Sequence, residues 1–438
     1  KFYMKIHILG ICGTFMGGLA QILKESGHEI SGSDQQFYPP MSEHLQELDI
    51  KTYEGYVIDD MPKADLYVIG NALSRGNICV EFILENKLPY KSGPEMLGEI
   101  LKDREVIAIS GTHGKTSTAY MTAHILLSQG IDIGFLVGGI SSMIDGSARL
   151  GSDKLFVIEA DEYDSAFFDK RSKFIHYSPN TLVINNIEFD HADIFDNLDA
   201  IKKQFHHLVK IIPSNGNIIY FKEDKNTLDL LGMGSWSKLI PIGKDEDYEL
   251  DLDENKIKAL NKEHSLEDFT IFGSHNAKNI IAAITAAQIN GISVQESINA
   301  LKKFDGVKRR LETKYKDQTI QIIDDFAHHP TAIRYAIDAV KTKFKDSKIL
   351  GLIELGSNTM SQGVHGDNLL DSASELDKVL WLDSKKVLSN KTPNCFISDE
   401  ACLNSIKDEI SSYDIFLIMT NKNSKRLWGP IIEYIKEK

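Results

Sequence analysis

The stretch ISGTHGKTSTAY, residues 109–120, joins an apolar run to a turn that contains two glycines, a lysine and several hydroxyl groups. A buried-strand pattern precedes the turn, and a helical pattern follows it. A backbone that wraps an oxyanion needs glycine for its positive-φ geometry, and it needs N–H groups that converge on one point, as they do at a helix N-terminus. The stretch therefore predicts a phosphate-binding loop between a strand and a helix.

Within this loop, each residue type has a chemical use. Gly111 and Gly114 can form the turn. Lys115 can meet the outer phosphates of a nucleotide, and Thr116 can offer its hydroxyl to Mg²⁺. The usual phosphate loop has four residues between its first glycine and the Gly-Lys pair, whereas this one has two. The alternative is a strand followed by a capped helix that begins with Gly-Lys-Thr by chance.

The composition is that of a globular protein with an acidic balance. Of the 438 residues, 42% are hydrophobic and 26% are charged, and the formal net charge is −14. This charge argues against a nucleic-acid partner and against docking on anionic lipid. No apolar run approaches the length of a membrane span, and the N-terminus lacks the apolar core of a signal peptide. We expect a cytoplasmic protein with no membrane partner.

The cysteines also indicate the redox state of the cellular compartment. They are scattered and form no CxxC pair, and they lie at Cys12, Cys79, Cys395 and Cys402. This usage is typical of a reducing cytoplasm and offers no zinc site.

Short apolar runs alternate with helical segments along the chain. Such alternation predicts parallel sheets whose ligands bind at the carboxyl ends of the strands. The length also exceeds that of one ordinary domain. We therefore predict an α/β protein with three successive α/β domains. They are a Rossmann-like domain over residues 1–103, a P-loop ATPase-like central domain over 104–306 and a Rossmann-like C-terminal domain over 307–438.

A second glycine-rich turn follows the first predicted strand, in HILGICGTFMGGLA at residues 7–20. Gly10, Gly13 and Gly17 form a relaxed dinucleotide fingerprint, in which a helix N-terminus meets a diphosphate. Asp34 follows the next predicted strand and could reach a ribose hydroxyl. The alternative is that these glycines serve only helix–strand packing.

Two further runs are predicted to be apolar strands that end in acids. LFVIEADEYD begins at residue 155 and contains Glu159, while LVINNIEFDH begins at residue 182 and ends in Asp190 and His191. A carboxylate and a neutral imidazole near the phosphate loop could bind Mg²⁺. The alternative is that these acids only cap the helices that follow.

Three later motifs leave functional and structural interpretations open. The segment GSHN places His275 and Asn276 before a predicted helix, where an amide could read a nucleobase or cap that helix. The segments RRLE and DDFAHHPT contain Arg310 and Asp325, in charge runs that are usually solvated faces.

In their order, the glycine turn, GTHGKT, EADEYD, NNIEFDH, GSHN, RRLE and DDFAHHPT resemble the Mur ligases, the ATP-dependent amide-bond formers of peptidoglycan metabolism. The resemblance spans essentially the whole chain. Within the family, AFFDKRSKF at 166–174, QFHHLV at 204–209 and SNTM at 357–360 resemble the recycling branch. That branch joins L-alanyl-γ-D-glutamyl-meso-diaminopimelate to UDP-N-acetylmuramate through an acyl phosphate. The alternatives are the branch that adds L-alanine and, in another class, a nucleotide-dependent regulatory module without ligase activity.

The resemblance implies a role for each domain. The first would hold the UDP-sugar through Gly10, Gly13, Thr14 and Asp34. The second would hold ATP, with contacts that extend into the start of the third domain, through Gly111, Thr112, His113, Gly114, Lys115, Thr116, Ser117, His275, Asn276, Arg310 and Asp325. The third would close over the incoming amine. The implied Mg²⁺ ligands are Thr116, Glu159 and His191, and the implied catalytic residues are Lys115, Glu159, His191 and Arg310.

The chain departs from the family pattern in two places. His206 stands where several members carry a carbamylated lysine, and Leu355-Gly356 stands where the third domain often has an arginine-bearing loop. A tripeptide rich in carboxylates favours a guanidinium partner. We therefore assign peptide binding to Ser357, Asn358, Lys425 and Arg426. The expected partners are ATP, UDP-N-acetylmuramate and the tripeptide, with Mg²⁺ as cofactor, and we expect a monomer.

Overall fold

The computed structural model describes residues 3–139, 144, 146–189, 194–361, 363, 367–388 and 391–437, with the backbone alone at 358 and 359. The chain forms two compact units. The first comprises Lys1–Glu188, Asp199–Asp268 and Lys278–Phe304, and the second comprises Phe189–Leu198, Phe269–Ala277 and Asp305–Lys438.

The first unit begins with a five-stranded parallel sheet of order β3-β2-β1-β4-β5. Its strands are β1 Lys5–Leu9, β2 Glu29–Asp34, β3 Lys51–Glu54, β4 Leu66–Ile69 and β5 Tyr90–Ser92. Its helices are α1 Thr14–Glu25, α2 Met41–Glu47, α3 Ile78–Glu85 and α4 Gly93–Leu101. The central strands β1 and β4 are apolar and buried, as expected where helices cover both faces of a parallel sheet. The order reverses at β1, so a ligand crevice is expected at the carboxyl end of that strand.

A larger, ten-stranded sheet follows in the same unit, with the order β17-β16-β15-β14-β13-β12-β6-β9-β7-β8. Its strands are β6 Glu105–Ser110, β7 Gly134–Leu136, β8 Ala148–Arg149, β9 Leu155–Glu159, β12 Thr181–Ile184, β13 Asn217–Phe221, β14 Lys238–Ile242, β15 Tyr248–Asp251, β16 Lys256–Ala259 and β17 Lys262–Ser265. A separate antiparallel hairpin consists of β10 Asp164–Ala166 and β11 Asp169–Ser172. The helices are α5 Lys115–Ser128, α6 Leu198–Ile211, α7 Lys225–Gly232, α8 Ser274–Ile289, whose first residues belong to the second unit, and α9 Val294–Leu301.

The register of this sheet determines which loops meet. Strand β6 pairs in parallel with β12 on one side and with β9 on the other. Ser110 at the end of β6 is opposite Ile184, and Ile109 is opposite Glu159. The segments that follow these three strands therefore meet at one edge of the sheet.

The second unit contains a six-stranded sheet of order β18-β19-β23-β20-β21-β22. Its strands are β18 Glu312–Lys316, β19 Gln321–Asp325, β20 Ile349–Glu354, β21 Lys378–Leu382, β22 Cys395–Phe396 and β23 Ile415–Met419. Its helices are α10 Pro330–Lys343, α11 Asn358–Ser361, α12 Asp367–Asp371, α13 Asp399–Glu409 and α14 Lys425–Lys436. Apolar clusters on both faces of this sheet form its core.

These sheets confirm the predicted fold class, which is an α/β protein with largely parallel sheets. The antiparallel edge strand β18 was not predicted, because ETKYK is too polar to show a buried-strand pattern. The boundaries at 103/104 and 306/307 stay predictions. All four cysteines, which lie within the described ranges, are free. No helix in the described part of the chain is long and apolar enough to cross a membrane.

A buried histidine gives the first sheet an acid-sensitive element. His7 on β1 is fully buried, and its two ring nitrogens lie 2.9 Å from Ser31 Oγ and 3.0 Å from Ser33 Oγ. Burial lowers the pKa of His7 to about 4. In the unfolded chain the pKa of this histidine is near 6.5. Between about pH 4 and pH 6.5 the unfolded chain therefore binds a proton at His7, and the folded chain does not.

We expect this histidine to cost stability as the pH falls from about 6.5 to about 4, by up to about 1.4 kcal/mol per pH unit. His7→Gln removes the titrating group, so it should reduce the drop in unfolding temperature between pH 7 and pH 5. Thermal unfolding of both proteins at the two pH values measures this effect. An equal drop in both proteins would contradict the assignment.

Candidate functional site

The turn between β6 and α5 has the geometry of a phosphate-binding loop. Gly111 has φ +127° and Gly114 has φ +81°, a conformation that favours glycine. Space is also short, because a Cβ on Gly114 would lie 2.4 Å from Asn279 Oδ1. Gly114 precedes α5 and provides no side-chain cap, so the first N–H groups of a helix remain to face the loop.

Two asparagines directly after β12 hold this loop in place. The carbonyl of Asn186 accepts from the Thr112 N–H at 3.0 Å, and its Oδ1 accepts from the His113 N–H at 2.8 Å. Asn185 Nδ2 donates to the hydroxyl of Thr118 at 3.1 Å. Sequence reasoning assigned no role to this pair. The available signal was a polar pair placed directly after a buried apolar run.

The hydroxyl of Thr116 and the carboxylate of Glu159 meet at the ends of β6 and β9. Thr116 Oγ1 donates to Glu159 Oε1 at 2.8 Å, and the Gly138 N–H donates to Glu159 Oε2 at 2.7 Å. Burial, reinforced by the charge of Asp161, raises the pKa of Glu159. The structure thus brings together two of the three predicted metal ligands, both of them oxygen donors.

Lys115 lies among carboxylates under the loop. Its ammonium donates to the Gly111 carbonyl at 2.8 Å and lies 3.3 Å from Glu162 and 3.7 Å from Asp161. Burial alone would lower the pKa of Lys115, but the nearby carboxylates outweigh it and raise the pKa above its usual value. Asp161 and Glu162 lie in the EADEYD segment, but their contacts with Lys115 were not predicted from the sequence. The lysine is charged and fixed beside the turn.

The second sequence prediction in this region is wrong in part. LVINNIEFDH was expected to be a strand that ends in acids, but β12 ends at Ile184. The two asparagines that follow direct their polar groups to the phosphate loop instead. Asp190 and His191 lie outside the described residues, so the metal role of His191 stays a prediction. Ser117 is buried in the first turn of α5.

The glycine turn after β1 is stabilised by Asp34 at the end of β2. Gly10 has φ +81°, and its N–H donates to the Ser33 carbonyl at 2.8 Å. Asp34 Oδ2 accepts from the Cys12 N–H at 2.8 Å, so one carboxylate oxygen is occupied by the turn itself. Helix α1 begins at Thr14 after Gly13, which provides no side-chain cap. The turn therefore presents a helix N-terminus, as a diphosphate site requires.

In the second unit, Asn276 is inside a helix and does not cap it. Helix α8 begins at Ser274, and Asn276 Nδ2 donates to the Phe272 carbonyl at 2.8 Å. The N-cap alternative is therefore wrong. His275 stacks on Tyr335 with 6.0 Å between ring centroids, and burial together with the charge of Arg310 lowers its pKa to about 4.

Arg310 and Asp325 lie in one neighbourhood of the second unit. Arg310 lies over the Phe326 ring, with 5.1 Å from its Cζ to the centroid. Asp325 accepts from the N–H groups of Leu311 and Ala327, each at 2.8 Å. Burial raises the pKa of Asp325, and Arg310 partly opposes that effect. These charges form a built cluster and are not a solvated run.

The predicted peptide residues are less uniform. Arg426 is already paired, since its guanidinium lies 2.5 Å from the buried Glu354 and 2.8 Å from Asp399. Lys425 is exposed at the start of α14, while Ser357 Oγ accepts from the Met360 N–H at 3.2 Å. The backbone of Asn358 begins α11, and its side chain lies outside the described atoms.

The two departures from the family pattern have structural explanations. Leu355 is buried in the core of the second unit. At Gly356 a Cβ would lie 2.2 Å from Asn421 Oδ1 and 3.3 Å from Lys422 Cγ, so a side chain there would require the Asn421 side chain to move. His206 is buried on α6, and its Nε2 lies 3.1 Å from the Gly234 carbonyl, which occupies that nitrogen.

Comparison with known families agrees with this geometry. Residues 5–105 match the domain described as "Mur ligase family, catalytic domain", and residues 109–287 match the Mur ligase middle domain. Residues 309–419 match the domain described as "Mur ligase, glutamate ligase domain". The chain belongs to the Mur ligase family.

Relatives within the family carry two kinds of name. The chain is 46% identical over 394 residues to the UDP-N-acetylmuramate–L-alanyl-γ-D-glutamyl-meso-2,6-diaminoheptandioate ligase of Escherichia coli K12, covering 86% of this chain and 85% of the relative. The Haemophilus influenzae protein of the same name is 44% identical over 390 residues, with 87% and 86% covered. A UDP-N-acetylmuramate–L-alanine ligase of Clostridium botulinum is 34% identical over 354 residues, with 78% and 75% covered.

Solved structures resemble the whole chain. A murein peptide ligase from Psychrobacter arcticus 273-4 superposes with a TM-score of 0.78 at 38% identity, covering 99% of both chains. A UDP-N-acetylmuramate-alanine ligase from Thermotoga maritima has a TM-score of 0.79 at 23% identity, with all of both chains covered. The second likeness shows the fold alone.

Proposed function

We propose that this chain is an ATP-dependent amide ligase that joins L-alanyl-γ-D-glutamyl-meso-diaminopimelate to UDP-N-acetylmuramate in peptidoglycan recycling. The observation that carries the proposal is the convergence of Lys115, Thr116 and Glu159 at one sheet edge. The chain is also 44% and 46% identical to two ligases whose names include that tripeptide.

The proposed division of labour follows the sheets. The turn at Gly10–Gly13 with Thr14 and Asp34 binds the UDP-sugar, and the loop 111–117 binds the phosphates of ATP. His275, Asn276, Arg310 and Asp325 complete the ATP site. The third domain, residues 307–438, binds the incoming peptide amine.

The residues present fit a magnesium ion. Hard oxygen donors are the ligands that Mg²⁺ prefers. Thr116, which is buried, supplies a hydroxyl, and Glu159, which is half-buried, supplies a carboxylate. Three carboxylates, those of Glu159, Asp161 and Glu162, lie near the single ammonium of Lys115. The described charges at this place are therefore net negative, and an added cation would offset them. When bound, Mg²⁺ would neutralise charge on phosphate oxygens. We propose Thr116, Glu159 and His191 as the residues that hold it.

The chemistry needs positioning and charge stabilisation more than a protein nucleophile. An oxygen of the muramyl carboxylate attacks the γ-phosphorus of ATP, ADP leaves, and an acyl phosphate forms. The α-amine of the peptide then attacks the acyl carbon, the amide bond forms, and phosphate leaves with one of the former carboxylate oxygens. Both steps concentrate negative charge, and we assign its stabilisation to Lys115 and Arg310.

An ADP-release assay with UDP-N-acetylmuramate and each candidate amine separates the possible functions. The recycling ligase releases ADP when the tripeptide is added. The second candidate is an L-alanine ligase like the Clostridium botulinum relative. Such an enzyme would release ADP when L-alanine is added instead. A regulatory module without ligase activity would release ADP with neither amine, and this result would overturn the proposal.

Glu159→Gln should raise the Mg²⁺ concentration needed for half-maximal rate by at least about tenfold, because an amide replaces a charged ligand. His191→Ala is expected to act in the same direction. Initial rates across a magnesium titration measure the effect. Glu105→Gln at the opposite end of β6 is the control. An unchanged metal dependence in the Glu159 variant would remove that residue from the metal site.

A further inference from the structure

Lys173 is a buried cation outside the set of residues discussed so far. It begins a short 3₁₀ helix after β11, within the AFFDKRSKF stretch, and it is only 7% exposed. No carboxylate of the described residues lies within ion-pair distance of its ammonium, and no described group accepts a hydrogen bond from it. Burial of an unpaired ammonium is costly, so a functional partner is the simplest reason for it.

Aromatic rings hold this ammonium on two sides. Its Nζ lies 5.0 Å from the centroid of Phe15 and 5.4 Å from the centroid of Tyr163. Cation–π attraction offsets part of the cost of burial but leaves the positive charge unneutralised. The site is therefore still complementary to an anion.

The backbone fixes where this charge lies. The Lys173 N–H donates to the Tyr163 carbonyl at 2.8 Å, and Ser172 Oγ donates to the Glu162 carbonyl at 2.6 Å. Glu162 is also the partner of Lys115 in the phosphate site. Lys173 is thus tied to the segment that lies beside the ATP loop.

One of the two rings belongs to the helix that follows the first glycine turn. Phe15 is the second residue of α1, directly after the uncapped helix N-terminus at Gly13 and Thr14. The buried ammonium therefore contacts the helix at the proposed diphosphate turn, while its backbone is bonded to the segment that pairs with Lys115 of the proposed phosphate loop. A substrate that bridges these two places carries anionic oxygens at both ends.

We propose that Lys173 binds an anionic group of UDP-N-acetylmuramate, either its diphosphate or its lactyl carboxylate. This inference rests on the proposed function, since it concerns the UDP-sugar of that reaction. It makes Lys173 a substrate-binding residue and gives the AFFDKRSKF stretch a role in the site.

The test compares Lys173→Met with Lys170→Met. Lys170 is on β11, directly before the 3₁₀ helix that Lys173 begins, but it is exposed and pairs with Asp164 at 2.7 Å. Calorimetric titration with UDP-N-acetylmuramate should show at least a tenfold loss of affinity in K173M and less than a twofold change in K170M. Titration with UDP-N-acetylglucosamine, which lacks the lactyl carboxylate, identifies the group. A loss with both ligands assigns the diphosphate, and a loss with the muramate alone assigns the carboxylate.

Two further measurements separate binding from a structural role. K173M should unfold at the same temperature as the wild type or higher, because it removes a buried charge, and K173R should retain most of the affinity. If K173M does not fold, acylation of wild-type lysines mapped by mass spectrometry replaces it, and UDP-N-acetylmuramate should protect Lys173 but not Lys170.

The outcomes that contradict the inference are distinct. Wild-type affinity in K173M, or no protection of Lys173, overturns the assignment of this lysine while the ligase proposal stands. A wild-type protein that binds neither UDP-sugar overturns the proposed function and this inference together.

Discussion

Lys115→Ala should reduce the rate of ATP-dependent ligation by at least about a hundredfold, and by up to about a thousandfold, because it removes a buried donor at the point where charge develops. In the structure its ammonium is held under the loop by the Gly111 carbonyl and two carboxylates. Steady-state ADP release with saturating substrates measures the loss.

The control for this variant is Lys154→Ala, an exposed lysine next to β9 that should leave the rate unchanged. Calorimetric binding of UDP-N-acetylmuramate and thermal unfolding should show that the Lys115 variant retains its fold and its sugar site. A Lys115 variant with turnover within a few-fold of the wild type would remove the phosphate-loop assignment.

The tripeptide should exceed free L-alanine in kcat/KM by at least about a hundredfold, roughly 2.7 kcal/mol of transition-state binding. A site built from buried polar partners discriminates against a substrate that leaves them unpaired. L-Alanine also brings little remote binding energy to position its amine. Parallel rate measurements with the two amines at fixed ATP and UDP-N-acetylmuramate test this difference.

The cations of the second unit allow this prediction to be sharpened. Glu354 faces both Arg426 and Lys422, and Arg426 also contacts Asp399, so its charge is shared within the protein. Lys425 makes no such pair in the described structure. Lys425→Ala should therefore reduce the ratio of kcat/KM for the tripeptide to kcat/KM for L-alanine. Arg426→Ala should reduce this ratio less, because the charge of Arg426 is already paired within the protein. Equal or better use of L-alanine by the wild type would contradict the recycling assignment and leave the ligase class standing.

The phosphate loop and the parallel sheets were both predicted from the sequence. Gly111 and Gly114 have the positive φ values that a turn of this kind requires, and α5 begins at Lys115 as expected. The alternation of apolar runs also predicted the parallel sheets. These features depend on residues close together in the chain, so their spacing carries the information.

The features that the sequence did not predict depend on distant partners. Arg426 was read as a peptide ligand, but its charge is engaged by Glu354, which is 72 residues away. Asn185 and Asn186 both bond to His113, in a loop that lies more than seventy residues earlier. The sequence analysis gave Lys173 no role of its own, and its ammonium is contacted by two aromatic rings from different segments. Only the packed structure assigns such groups.

The most direct test of the proposed reaction uses UDP-N-acetylmuramate labelled with ¹⁸O at both oxygens of its lactyl carboxylate. The chain is incubated with this substrate, ATP, Mg²⁺ and the tripeptide, and mass spectrometry follows both products. We expect UDP-N-acetylmuramoyl-tripeptide together with inorganic phosphate that carries one ¹⁸O atom. Unlabelled phosphate, or ATP hydrolysis without a coupled product, would contradict it.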